Sequence, residues 1–192
     1  MTNDGTKPRL STLGLMFWTV SFFGWAYEKL YFFFFVDGTS DRGFLTLPFC
    51  TIYGTTVLLA YFLLGTPRRP RLFPHRSVVL RVGGYFVAAS LCAAAAELVF
   101  GALFDLLGAP LWSYAAHPAN FGGYVALAPS LLWGALITLA MGTAFEPLAR
   151  VYGAIPRFVS SFFLWTVTLC AAADAVWNFW YFFSFGAHFA LF

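Results

Sequence analysis

Charge is what this sequence has least of. Only 10% of its 192 residues are Asp, Glu, Lys or Arg, against about a quarter in water-soluble domains. That shortage excludes a soluble globular domain. It also argues against a nucleic-acid partner, because the one arginine-dense stretch, "TPRRPRLFPHR" (66–76), is a short hinge between apolar runs, suited to orientation and to anionic lipid. Cysteine is scarce as well. Cys50, Cys92 and Cys170 fall in or beside apolar segments without paired spacing, which excludes a disulfide framework and a cysteine-based metal site. There is no P-loop, no GxSxG, no HExxH and no CxxC pair. No metal or cofactor is therefore expected, and ATP-driven activity would need a separate ATPase subunit.

What the chain has in abundance is hydrocarbon. Hydrophobic residues make up 60% of it, and the mean hydropathy is +0.76. Apolar runs recur over residues 11–36, 45–64, 80–107, 124–144 and 158–183. A helix needs about 20 apolar residues to cross a ~30 Å hydrocarbon core, and continuous runs exclude an alternating β-barrel pattern. The expected fold is an all-α integral membrane protein with five transmembrane helices. A tail (1–10) precedes a single polytopic domain (11–192). The first run is too long for a cleaved leader and has no small-residue cleavage site near its end, so it reads as a retained helix.

Arginine placement orients the chain. Arg68, Arg69, Arg71, Arg76 and Arg81 crowd the second connection, Arg150 and Arg157 bracket the fourth, and the third has no Lys or Arg. The positive-inside rule puts the N-terminus and connections two and four in the cytoplasm, and five spans leave the C-terminus outside.

The chain also resembles itself. "GFLTLPFCTIYGTTVLL" (43–59) aligns without gaps on "GYVALAPSLLWGALITL" (123–139), pairing Tyr53 with Trp133 and Gly54 with Gly134. Ahead of each copy lies a helix carrying an acid, Glu28 or Glu97. A serine stands seven residues before each acid and a small residue four before: Ser21 and Gly24, then Ser90 and Ala93. Such spacing shares one helix face. The last run repeats the theme more weakly, with Cys170, Asp174 and Asn178. The pattern suggests two helical hairpins in parallel repeat plus a fifth helix.

An intramembrane charge costs roughly 2.5–3.5 kcal/mol on insertion scales and marks function by default. Glu28, Glu97 and Asp174 lie sixteen to nineteen residues beyond Arg9, Arg81 and Arg157, or roughly 24–29 Å at ~1.5 Å per residue. They are expected at similar depth, lining one polar chamber. Lys29 reads as a snorkelling interface residue, and Asp105 as a solvated one. Arg42 can reach a carboxylate or an anionic group. Tyr114 and Asn120 in the third connection, with Ser130 early in the fourth run, complete the substrate- or ion-binding candidates. No catalytic residue is assigned.

The motifs "GWAYEKLY", "RGFLTLPFCTIYG", "AAAAELVFG", "LWSYAAHPANFGGYVAL" and "SLLWG", in this order over roughly residues 15–145, resemble the bacterial Putative ABC-transporter type IV (CmpB-type) membrane protein family. Glu28, Arg42, Tyr53, Gly54, Glu97, Tyr114, Asn120, Ser130 and Trp133 fall on its motif positions. Ser113 stands where the family carries aspartate. The resemblance implies a multi-pass, permease-like protein of a bacterial cytoplasmic membrane, in contact with lipid and working as a homo-oligomer or with an ATPase subunit. Transport of a small solute or ion is the leading expectation. An intramembrane enzyme acting on a lipid or isoprenoid, and an accessory membrane subunit, are the alternatives.

Overall fold

The structure is a computed structural model that describes residues 8–35, 44–72, 77–186 and 189. Arg42, one of the sequence candidates, lies outside the described residues. Six helices are present among the described residues: α1 (Leu10–Phe35), α2 (Thr51–Leu64), α3 (Val78–Leu106), α4 (Leu127–Thr143), α5 (Phe145–Ala154) and α6 (Arg157–Phe185). Two small antiparallel ladders accompany them. β1 (Gly65–Thr66) pairs with β2 (Arg69–Pro70), and β3 (Asn120–Phe121) with β4 (Val125–Ala126). The fold is all-helical in substance.

Each of the five apolar runs contains one helix, with two differences in detail. The second helix begins at Thr51 rather than near residue 45, because residues 44–50 spend their backbone donors elsewhere. The Leu47 N–H donates to Asp174 Oδ2 at 2.9 Å, and the Cys50 N–H donates to the Ser21 carbonyl at 3.0 Å. Pro48 has no donor and disfavours helical geometry in the residue before it. The helix that follows has 14 residues, about 21 Å at ~1.5 Å per residue, and is too short to cross a membrane alone. The second difference is α5, a sixth helix where the fourth connection was expected. It meets α4 at 50°.

By length and apolarity, α3 and α6 can each cross a membrane, and a third span arises if α4 and α5 count as one. Helix α1 has 26 residues but is diluted by hydroxyls, glycines, Glu28 and Lys29. The surface is that of a membrane-type protein. Phe158, Phe162, Trp165, Leu169 and Val176 on α6 are all exposed, while only Ser160, Ala171 and Asn178 of that helix are buried.

The apolar core gathers Leu13 and Met16 of α1, Ala60 and Leu64 of α2, Tyr85, Ala89 and Ala93 of α3, Ile137 and Met141 of α4, and Phe145 of α5. Small residues let the helices approach, the usual currency of helix packing in lipid. Tyr85, 1% exposed, donates to the Gly65 carbonyl at 3.0 Å, which satisfies its hydroxyl and ties α3 to the turn after α2. That turn needs Gly65: its φ is +77°, and a Cβ would sit 2.6 Å from the Arg69 carbonyl oxygen. Arg71 closes the hairpin, donating to the Phe62 carbonyl at 2.6 Å with its guanidinium over the Tyr61 ring.

Candidate functional site

The stripe read from α1 faces α2. A Cβ on Gly54 would lie 2.5 Å from Ser21 Oγ and 2.6 Å from the Phe17 carbonyl oxygen, and one on Gly24 would overlap the Tyr53 ring. Two missing side chains thus bring the helices into contact and let Tyr53 lie against α1. From there its hydroxyl donates to Glu28 Oε1 at 2.6 Å, a short, charge-assisted bond.

The α3–α4 pair is built on the same plan. A Cβ on Gly134 would overlap Ser90 Oγ and come within 2.8 Å of Ser90 Cα. Two turns farther along α3, Glu97 is 6% exposed. Its Oε1 accepts from the Tyr114 hydroxyl at 3.0 Å, and Ser130 Oγ lies 3.4 Å from Oε2. Ser130 has one proton to give and a closer acceptor in the Ala126 carbonyl, at 2.9 Å. Its bond to the Ala126 carbonyl is the shorter, and its donation to Glu97 the longer and weaker of the two.

Trp133 joins the two acids. Its indole lies near both the Glu97 carboxyl and the Tyr114 hydroxyl. Its ring also meets Tyr53 edge to face at 5.1 Å and Tyr27 at 5.7 Å. Tyr114, in the connection between α3 and α4, is held above the ordinary tyrosine range by burial first, then by the Glu97 charge, with Glu28 contributing as well. One hydroxyl therefore feels both carboxylates.

The remaining candidates fall elsewhere. Asp174 and Asn178 form a second polar group with the segment before α2. Asp174 accepts from Leu47 N and, through Oδ1, from Asn178 Nδ2 at 3.0 Å, while Asn178 Nδ2 reaches Thr46 Oγ1 at 2.9 Å. Phe44, Phe104 and Phe179 pack beside it, with Phe44 and Phe179 only 4.2 Å apart. One stretch of chain, residues 46–53, touches both groups, at Asn178 through Thr46 and at Glu28 through Tyr53. Asn120 organises its own loop. It donates to the His117 carbonyl at 2.8 Å and accepts from Gly123 N at 3.2 Å. Asp105, expected to be solvated, is exposed and also accepts from the Tyr124 hydroxyl at 2.5 Å.

Sequence reasoning missed Tyr53 and Trp133 as functional groups, although the repeat had paired them. An aromatic residue followed by glycine in both copies was the available signal. Among the described residues no group of three or more His, Cys, Asp or Glu could hold a metal ion.

The family described as Putative ABC-transporter type IV matches residues 15–179. The chain belongs to the Putative ABC-transporter type IV family. The match spans every candidate site residue from Glu28 to Asn178, and it extends beyond the motifs visible by eye to include the Asp174 group. Membership makes the chain a transporter-like membrane protein and suggests association with an ATPase subunit. No curated protein and no solved structure matches the chain.

Proposed function

We propose that this chain is the membrane-embedded, permease-like component of a transport system in a bacterial cytoplasmic membrane. In this reading a small solute or ion moves through a polar chamber built on Glu28 and Glu97. The observation that carries it is two carboxyl groups, on α1 and on α3, each hydrogen-bonded to a tyrosine within otherwise apolar helices. Each acid bears an insertion cost of roughly 2.5–3.5 kcal/mol, more than packing alone would justify. Binding and release of a proton or cation at these two tyrosine-bonded acids is the simplest use for them. Ser130 beside Glu97 belongs to the same reading, with Asn120 in the loop that carries Tyr114, the separate Asp174–Asn178 group and Arg42 as supporting positions.

The matching contacts of Ser21 with Gly54 and of Ser90 with Gly134 support two parallel-repeat hairpins followed by a further helix, crossing the membrane as one polytopic domain. The cytoplasmic placement of the N-terminus and of connections two and four, with the C-terminus outside, draws support from the ion pair of Arg68 and Glu146 at 3.8 Å. It joins two connections that the arginine distribution assigns to one side. A homo-oligomer or an ATPase partner would complete so small a path.

The test is flux in reconstituted vesicles with a pH-sensitive dye inside. Wild-type protein should dissipate an imposed proton gradient when its solute or coupling ion is supplied, and Glu28→Gln and Glu97→Gln should each abolish this. If the doubly substituted protein, still folded, moves protons at the wild-type rate, the acids are structural and the reading fails.

A further inference from the structure

Helices α1, α5 and α6 enclose an open groove of about 430 Å³ that the acid site does not use. Leu15, Phe22, Phe49, Ile155, Phe163 and Val167 supply its walls. The polar atoms beside them are already engaged with each other. Trp18 Nε1 donates to Thr168 Oγ1 at 3.0 Å, and the Thr19 and Tyr152 hydroxyls share a bond at 2.5 Å. A polar solute would find nothing to bond, whereas a hydrocarbon chain meets only hydrocarbon.

One end of the groove is different. Ser160 Oγ donates to Ser11 Oγ at 3.2 Å, pinning the beginnings of α1 and α6 side by side. Arg9 immediately precedes α1, and Arg157 is the first residue of α6; both are exposed. Neither forms an ion pair with an acid among the described residues. Two helix N-termini therefore lie side by side at this end, each with an exposed arginine at its start, a concentration of positive charge that favours phosphate. From this end the groove runs along α1 from Leu15 to Phe22 and along α6 from Ser160 to Val167, about 10 Å at ~1.5 Å per residue.

We propose that this groove binds an anionic phospholipid, with one acyl chain against α1 and α6 and the phosphate held between Arg9 and Arg157. The proposal rests on the membrane reading but not on transport. Bulk lipid is as apolar as the groove, so the walls fix the tail's position while the arginines provide selectivity. At the depth expected for the ends of α1 and α6, the headgroup lies on the cytoplasmic side.

Native mass spectrometry of the detergent-purified full chain tests it. The protein is titrated with phosphatidylglycerol or phosphatidylcholine of matched chain length. Wild-type protein should retain the anionic lipid about tenfold better, in line with the contribution of basic residues near lipid phosphates. R9Q/R157Q should hold both lipids equally, and R9K/R157K should keep most of the preference, which separates lost charge from lost fold. Val167→Trp, filling the groove, should lower retention of both lipids. Equal retention by wild-type protein, an undiminished preference in R9Q/R157Q, or unchanged retention in Val167→Trp overturns the proposal. So does displacement of the lipid by inorganic phosphate alone, which would reveal a bare anion site. Release of the chain from native membranes by an alkaline wash would remove the membrane reading itself, an outcome scored separately from lipid preference.

Discussion

The α1–α2 and α3–α4 pairs present the same acid on the same plan but give it different partners. In the first, the tyrosine comes from the helix directly opposite: Tyr53 precedes Gly54, lies where Gly24 leaves room, and reaches Glu28. In the second, the corresponding position is Trp133, and the tyrosine comes from the connection instead, as Tyr114. A helix-borne partner is fixed by packing; a loop-borne one depends on how the loop is held. The difference also frees Trp133 to face Tyr53 and Tyr27, turning two equivalent sites into one joined pair.

The common plan is the easiest feature to break. Gly134→Ala forces a Cβ into Ser90, where the backbone itself is within 2.8 Å; overpacking of this kind costs about 1–3 kcal/mol, sometimes more. Thermal unfolding in detergent should show a large loss. Gly83→Ala on α3 meets nothing within 4 Å and should be neutral or stabilising by up to about 1 kcal/mol. Equal effects would mean that the helices do not touch at Gly134.

The difference between the acids can be sharpened next. Tyr53→Phe removes a 2.6 Å bond to a carboxylate and should cost about 2 kcal/mol, within the range for hydrogen bonds to charged groups. Tyr114→Phe removes a 3.0 Å bond from an acid that keeps Ser130 and Trp133 nearby; about 1 kcal/mol is expected. The reversed order would show that the loop, not the helix, holds its acid more firmly.

The smallest effect is a pH slope. Burial and the Glu97 charge raise Tyr114 above its ordinary value, about 10 for a tyrosine. Between those two values the folded chain binds more protons than the unfolded chain, so stability falls as pH rises. Unfolding temperatures measured from pH 9 to pH 11 should decline less steeply in Tyr114→Phe than in wild-type protein.

Much of this architecture is written locally. Uninterrupted apolar runs announce the long helices, and a carboxylate within such a run announces itself, which is why Glu28 and Glu97 stand out from the sequence alone. The start of α2 is not local: it depends on Asp174, more than a hundred residues away, capturing the Leu47 N–H. Nor is α5, whose "FEPLARVYGA" reads as a polar connection until Phe145 is found in the core and stacked on Tyr61 at 4.7 Å. The bridging role of Trp133 depends on ring orientation between two helix pairs, which spacing along one helix cannot encode.

The loop that carries Tyr114 is braced from within. The Tyr114 N–H donates to the Gly123 carbonyl at 2.7 Å, Trp112 Nε1 to the Tyr124 carbonyl at 3.0 Å, and Asn120 closes the turn between them. These bonds tie the two sides of the loop to each other. The loop's own closure therefore decides where the Tyr114 hydroxyl stands against Glu97, as a frame decides where its latch falls.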